Sequence, residues 1–282
     1  MFERFSRSWQ LVKASGAVLM QDKELLLFPL ISSITAFIVL LCFALPLFGF
    51  AALDGLSRGH VGGVGLYVVG FLFYLTQYFV IFFFNAALVG AAMIRLDGGN
   101  PTLGDGISIA MSKWTNILGY AAIAATVGLL LRTMQRRSGR IAKFVVGLIG
   151  MGWTLATFLV VPVLVARDVG PVEAVKESAM LLKKTWGENA IGQVGIGAVF
   201  GIIHFLLMMV AAAIIVLALM VKSAVVFAAA VVTVVILFVL TALVQPALSA
   251  IYAAALYRYA DGHQQTNGFD STALADAFTP AR

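Results

Sequence analysis

Three couples of arginine and aspartate, each closing a long apolar run, are the residues with the clearest chemical potential: Arg95 with Asp97, Arg167 with Asp168, and Arg258 with Asp261. Such a couple at a helix end acts as a local cap and membrane-face anchor; three of them together also suit a polar ring. A second set lies deeper. His204 sits within the apolar run VFGIIHFLLMMV, and Gln77, Asn85 and Gln193 are amides that suit it as partners. A lone histidine there reads first as a hydrogen-bonded packing residue, and amides in apolar runs as bonds across helices. The third set is basic. Arg132, Arg136, Arg140 and Lys143 fall at offsets 0, 4, 8 and 11, within about 80° of one another on a continued helix. Such a stripe suits anionic headgroups, a soluble anion or a partner; otherwise it is a set of solvated charges with stems lying along lipid.

No metalloprotease HExxH, GxSxG elbow, phosphate-binding loop or Cys/His metal spacing occurs, and His60, His204 and His263 are far apart. No carboxylate lies within an apolar run, which speaks against paired-aspartate proteolysis and most proton relays. The sequence points to no enzyme, no cofactor and no metal. Cys42 is the single cysteine and reads as a small packing residue.

The elements that must position these residues are membrane spans, because 61% hydrophobic and 11% charged residues over 282 positions do not make a soluble globule. Six runs exceed or approach the roughly 20 residues that cross a bilayer, near 25–53, 64–94, 114–131, 144–166, 189–221 and 224–257. The first starts late and is far longer than a secretory apolar core, so no cleaved signal peptide is expected. The expected fold is all-α, a polytopic helical bundle in one domain, 1–262, with a cytoplasmic tail, 263–282. Asp270 to Phe278 in that tail suits a short helix.

An internal repeat is expected from the segments that precede the odd spans. Phe2, Phe5, Trp9 and Val12 have the spacing of Val172, Val175, Ala179 and Leu182, while Glu3, Ser8 and Lys13 match Glu173, Ser178 and Lys183. Leu103, Ile107, Met111 and Trp114 are a weaker third copy. Each reads as an amphipathic helix in the headgroup layer or packed on the span ends. Units near 1–98, 100–168 and 171–262 would then each hold an interfacial helix, an outward span, an inward span and an Arg/Asp end. With the N-terminus inside, 12 of the 19 Lys and Arg residues are cytoplasmic. A re-entrant third run would score the same, and the repeat favours six spans.

Two marks concern helix shape. Pro162 and Pro246 sit at comparable places in even spans, as does Asn85, and suit matching kinks. Gly192, Gly195, Gly197 and Gly201 suit close approach of the fifth span to a neighbour.

The stretch ATVGLLLRTMQRRSG with GWTLATFLVVPVLVARDVGPVEAVKESAMLLKKTWGEN, the beginning FSRSWQLVKAS and the end FDSTALADAF resemble an uncharacterised family of prokaryotic six-span membrane proteins. More remotely, the interfacial helix before a pair of spans is similar to membrane domains fused to glycerophosphodiester phosphodiesterases. The resemblance implies a six-span α-helical fold and no activity or site residues. The expected role is a non-enzymatic scaffold or accessory subunit of the cytoplasmic (inner) membrane, associated with lipid; the alternative is a channel or transporter for a small solute or lipid. Expected partners are membrane lipids with anionic headgroups, a membrane protein or a second copy. Nucleic acid is not among them, since the basic residues form no groove with interleaved aromatics.

Overall fold

The computed structural model describes residues 13–57, 64–137, 139–184 and 186–261. The expectations for residues 1–12 and for the tail helix lie outside these residues. Helix α1 occupies 13–21, and a 3-10 turn, Lys23–Leu26, leads into α2, Leu27–Ser57. Then follow α3 (Val64–Leu96), α4 (Leu103–Ser112), α5 (Trp114–Arg137), α6 (Arg140–Ala156), α7 (Val160–Ala166), α8 (Pro171–Lys184), α9 (Trp186–Met220) and α10 (Ala224–Ala260).

Six stretches are long and apolar enough to cross a bilayer: Lys23–Pro46, Val68–Leu96, Trp114–Arg136, Ala142–Ala166, Phe200–Met220 and Ala224–Ala260. They follow the six expected runs in order. The third run is one 24-residue helix, α5, that rises about 36 Å, enough to cross without turning back. It continues to Arg137, and Gly139, with φ −66° and ψ 174°, then starts α6 at Arg140. The basic stripe expected on one continued helix is therefore divided between two helices.

The fourth run is broken, because Pro162 has no amide hydrogen to give to the carbonyl of Phe158. Residues 157–159 form a turn between α6 and α7. The buried Ser178 of α8 mends the gap: its hydroxyl accepts from the Leu159 amide at 3.0 Å and donates to the Ala156 carbonyl at 2.7 Å.

Helix α3 is the central column and packs on α2, α4, α5, α7 and α10. The core gathers where the even spans end, between Ala86 and Leu96, Leu159 and Leu164, and Ala247 and Tyr257. Alanines make this possible, since Ala86, Ala87, Ala91 and Ala92 on α3 and Ala253, Ala254 and Ala255 on α10 let the backbones come close. Near the turn that joins α9 to α10, Leu217, Leu219, Val225 and Val232 are exposed, as a lipid-facing surface requires.

Of the four glycines expected to allow close approach of the fifth span, the surroundings of Gly192, Gly195 and Gly197 lie outside the described residues. A Cβ at Gly201 would meet nothing within 4 Å, so α9 makes no tight contact there. At Gly106 a Cβ would lie 2.5 Å from Phe28 Cζ and 2.6 Å from the Ala87 carbonyl oxygen, which seats α4 hard against α2 and α3. The expected apolar faces of α4 and α8 pack in part, with Leu103, Ile107 and Val175 against the core. On α8 the fully buried residues are Ala174 and Ser178, while Val172 is 56% exposed; on α4 they are Gly106 and Ala110, while Met111 is 56% exposed. Small side chains take the most buried positions because they permit close contact, Leu103, Ile107 and Val175 pack beside them, and Val172 and Met111 take the rim.

Candidate functional site

Two polar regions stand out, one at the end of the bundle and one about 15 Å deeper.

At the bundle end, among the described residues, none of the three arginines pairs with the aspartate of its own span. This corrects the reading of local caps. Arg258 of α10 pairs with Asp97 after α3 and donates to the Met93 carbonyl at 3.1 Å. Arg167, after α7, donates from Nε to the Tyr257 hydroxyl at 2.9 Å, pairs through Nη2 with Asp261 at 2.6 Å, and pairs through Nη1 with Glu177 of α8. Asp168 is taken by Lys113, at the junction of α4 and α5, at 2.9 Å. Arg95 donates to Gln21 at 3.3 Å and to the Gly99 carbonyl at 3.2 Å. The Asn116 amide reaches the Val169 carbonyl at 3.1 Å. The couples thus cross-brace different spans.

Local sequence builds these positions. After α3 the chain closes in a Schellman turn, with Gly99 N–H to Ile94 O at 3.0 Å and Gly98 N–H to Arg95 O at 2.9 Å. Gly98 takes φ 86°, the left-handed region that a side chain resists, and so turns Asp97 out at the helix end. Thr102 and Asp105 form a reciprocal capping box that starts α4. Hydrogen bonds from the Thr102 backbone and then its hydroxyl hold the Asp105 carboxyl below the usual carboxylate range. The hydrogen bond from Lys113, then its charge, does the same for Asp168. Tyr257 and then Asp261 hold Arg167 more firmly protonated than usual.

The deeper region is a cavity of about 390 Å³ bounded by α2, α3, the break before α7, and α10. Asn85, Pro162 and Pro246, marked in the sequence only as matching kink positions, all line it. Its floor is buried, formed by Leu88, Val89, Ala250 and Ala253. Its mouth is formed by exposed residues within the spans, Ser33, Ile81, Ala242 and Pro246, so it opens toward the bilayer. Asn85 is ten positions before Arg95 and Ser249 nine before Arg258, which puts both about 15 Å from the charged end and near mid-membrane. Among the described residues no Asp, Glu, Lys, Arg or His lines it.

The remaining sequence candidates stand apart. Nδ1 of His204 is 2.7 Å from the Phe200 carbonyl of its own helix, so that nitrogen carries the proton; the imidazole joins neither Gln77 nor Asn85, and the side chain of Gln193 lies outside the described residues. Gln77 instead donates across to the Ala36 carbonyl of α2 at 2.9 Å. Arg132 donates to the Tyr74 hydroxyl, with its guanidinium carbon 4.9 Å from the centre of that ring. Arg136 and Lys143 are exposed on the ends of α5 and α6, and Arg140 opens α6. Among the described residues no three His, Cys, Asp or Glu side chains converge as a metal site would need.

Sequence reasoning missed the serines of the cavity, Ser32 and Ser249, and the bracing partners Lys113, Glu177 and Tyr257. Serines within apolar runs were a visible signal for the first pair. Nothing in the spacing marked the second group, which meets through tertiary packing.

Fold and site together define an all-α, multi-pass membrane protein with a lipid-facing internal cavity. Residues 64–269 match a family model that covers more than half of the chain, and the chain belongs to that family of unknown function (DUF6159). No curated protein and no solved structure matches the chain, so the likeness to glycerophosphodiester phosphodiesterase membrane domains finds no support there.

Proposed function

We propose that this is a non-enzymatic, lipid-associated membrane protein that takes part of a lipid-like molecule into the cavity between α2, α3, α7 and α10. The observation that carries the reading is the cavity's form: a buried floor, a mouth on the membrane-facing surface and a mixed lining of aliphatic groups, serines and an asparagine. At about 390 Å³ it lies at the small end of ligand pockets, sized for one chain or one head and not for a whole two-chain lipid. The rest of the ligand would stay in the bilayer.

Carriage of that molecule is the second reading, favoured by the helix break at 157–159 beside the cavity. A scaffold or accessory role, with lipid as its fixed partner, fits the braced end equally. The bias of 12 of 19 basic residues supports a cytoplasmic membrane placement with both chain ends on the cytoplasmic side. The exchange of partners among Arg258, Asp97, Arg167 and Asp261 supports the three-unit organisation. Arg132, with Arg136 and Lys143 nearby in sequence, suits anionic headgroups on the other face.

The test is lipid retention. Full-length protein purified in mild detergent is extracted, and its lipids are measured by mass spectrometry beside Ala242→Trp, which fills the mouth from an exposed position. Stoichiometric lipid in the natural protein and its loss in the variant, at equal melting temperature, is the expected outcome. Equal retention by both would sink the reading.

A further inference from the structure

We infer that the ligand of the mid-membrane cavity has an uncharged, hydrogen-bonding head, a hydroxyl or an amide, seated at Asn85, Ser32 and Ser249. The inference rests on the lipid reading above and adds the chemical class of the ligand.

The first support is an exception to a pattern. Most hydroxyls on the spans, Thr35 excepted, fold back on their own helices: Thr76 to Leu72 O, Thr126 to Ala122 O, Thr133 to Leu129 O and Thr233 to Ala229 O, all at 2.8 to 2.9 Å. Ser33, at the cavity mouth, does likewise to Pro29 O at 2.7 Å. Asn85, Ser32 and Ser249 do not. Among the described residues their side chains have no hydrogen-bond partner in the protein, and all three line the same space. Polar groups at this depth have no bulk water to turn to, so three unanswered ones side by side mark where a ligand's polar atoms belong.

The second support comes from the prolines. Pro246 cannot donate to the Ala242 carbonyl, nor Pro162 to that of Phe158, and both carbonyl residues line the cavity. Two helix carbonyls beside the site thus lose their usual i+4 donors, while Asn85 and the serines can give as well as receive. A head bearing O–H or N–H groups answers this set.

The third support is charge. With no cation among the described residues lining the cavity, a phosphate head would enter unpaired, and the nearest arginines in sequence, Arg95, Arg167 and Arg258, are engaged at the bundle end. A lipid cation would likewise find no carboxylate. Neutral lipids with hydroxyl or amide heads, such as a diacylglycerol or a long-chain alcohol, fit on all three grounds.

The experiment offers full-length protein in detergent an equimolar mixture of dioleoylglycerol and dioleoylphosphatidylglycerol, which share chains and differ in head, and reads bound lipid by native mass spectrometry. Retention of dioleoylglycerol in preference, its loss in Ala242→Trp, and weakening of about tenfold in Asn85→Leu are expected, one lost buried hydrogen bond being of that order. The melting temperature of lipid-free Asn85→Leu should be unchanged or higher. Should that variant fail to fold, the Ser32→Ala, Ser249→Ala double variant takes its place, with weakening of several-fold expected. Preference for phosphatidylglycerol that Ala242→Trp abolishes would overturn the head assignment and leave the lipid cavity standing. Binding unaffected by Ala242→Trp would bring down both. Wild-type affinity in the asparagine variant or, where that does not fold, in the serine variant would overturn the assignment alone.

Discussion

The charged end of the bundle and the cavity about 15 Å below it treat polar side chains in opposite ways. At the end, Arg258, Arg167 and Lys113 find their partners on other elements, Arg258 reaching Asp97, Arg167 reaching Asp261 and Glu177, and Lys113 reaching Asp168, while Arg95 reaches Gln21 and the nearby Gly99 carbonyl. In the cavity Asn85, Ser32 and Ser249 find none among the described residues. Depth makes the difference instructive. Near the membrane surface water could serve these charges, and yet the protein pairs them, with Ser15 Oγ, Asp22 Oδ2 and Arg258 Nε buried there without a partner; at mid-depth, where pairing matters more, it leaves three side chains open. The first arrangement holds helices together, and the second holds a place for something else.

Removing Arg167 should break the braced side of this comparison most severely. Its three nitrogens serve three residues on two helices, and Glu177, with only 14% of its side chain exposed, would be left as a nearly buried unpaired carboxylate. For Arg167→Ala we expect a loss of about 2 to 3 kcal/mol, reduced from a fully buried pair because the arginine is 37% exposed. Thermal unfolding in micelles measures it. Arg167→Lys should recover less than half, since one ammonium cannot replace a planar three-way fork. A wild-type melting curve for the alanine variant would reduce the ring to decoration.

The two regions were unequally legible in the sequence. Six spans, their order and the sidedness of the Arg/Asp ends follow from apolar length and recurrence, which are properties of the chain itself. The cavity was half legible: Asn85, Pro162 and Pro246 stood out because a polar or helix-breaking residue in an apolar run has few reasons to be there. That they share one space depends on how α3, α7 and α10 cross, and no spacing along the chain encodes a crossing. The partner exchange among the arginines was hidden for the same reason. Local proximity made Arg167 with Asp168 the natural pair, and packing chose Tyr257, Glu177 and Asp261. The most buried positions of α4 and α8 teach a related point. Hydrophobic spacing finds an amphipathic face, but the side that packs is the one whose side chains are small enough to let backbones meet.

That last point gives a next test, smaller than the first. Gly106→Ala puts a Cβ 2.6 Å from a backbone oxygen, which cannot rotate away, so α4 must shift at a loss of about 2 kcal/mol. Gly201→Ala, on α9, meets nothing and should be neutral or gain up to about 1 kcal/mol from helix propensity. Paired melting temperatures check both. Equal effects would mean that the tight seat of α4 does not hold the charged end in place.

The smallest effect expected is a dependence on pH that belongs to the braced end alone. Lys113 holds the Asp168 carboxyl below its ordinary value, so the pair's contribution is complete above the unfolded carboxylate value of about 3.9 and fades as pH falls through the lower folded value. Between pH 7 and 5 the melting temperature should not respond to this pair. Below about pH 4 the advantage of the natural protein over Asp168→Asn should shrink, because both then carry an uncharged group opposite Lys113. The loss stays small, since 93% of the Asp168 side chain is exposed and the Asn116 bond to the Val169 carbonyl keeps the loop tied at any pH. Lipid retention should be indifferent to the same substitution, because the cavity has no carboxylate in its lining. A parallel fall of lipid binding and Asp168 ionisation would instead mean that the two regions act as one device, with the braced end setting the shape of the cavity below it.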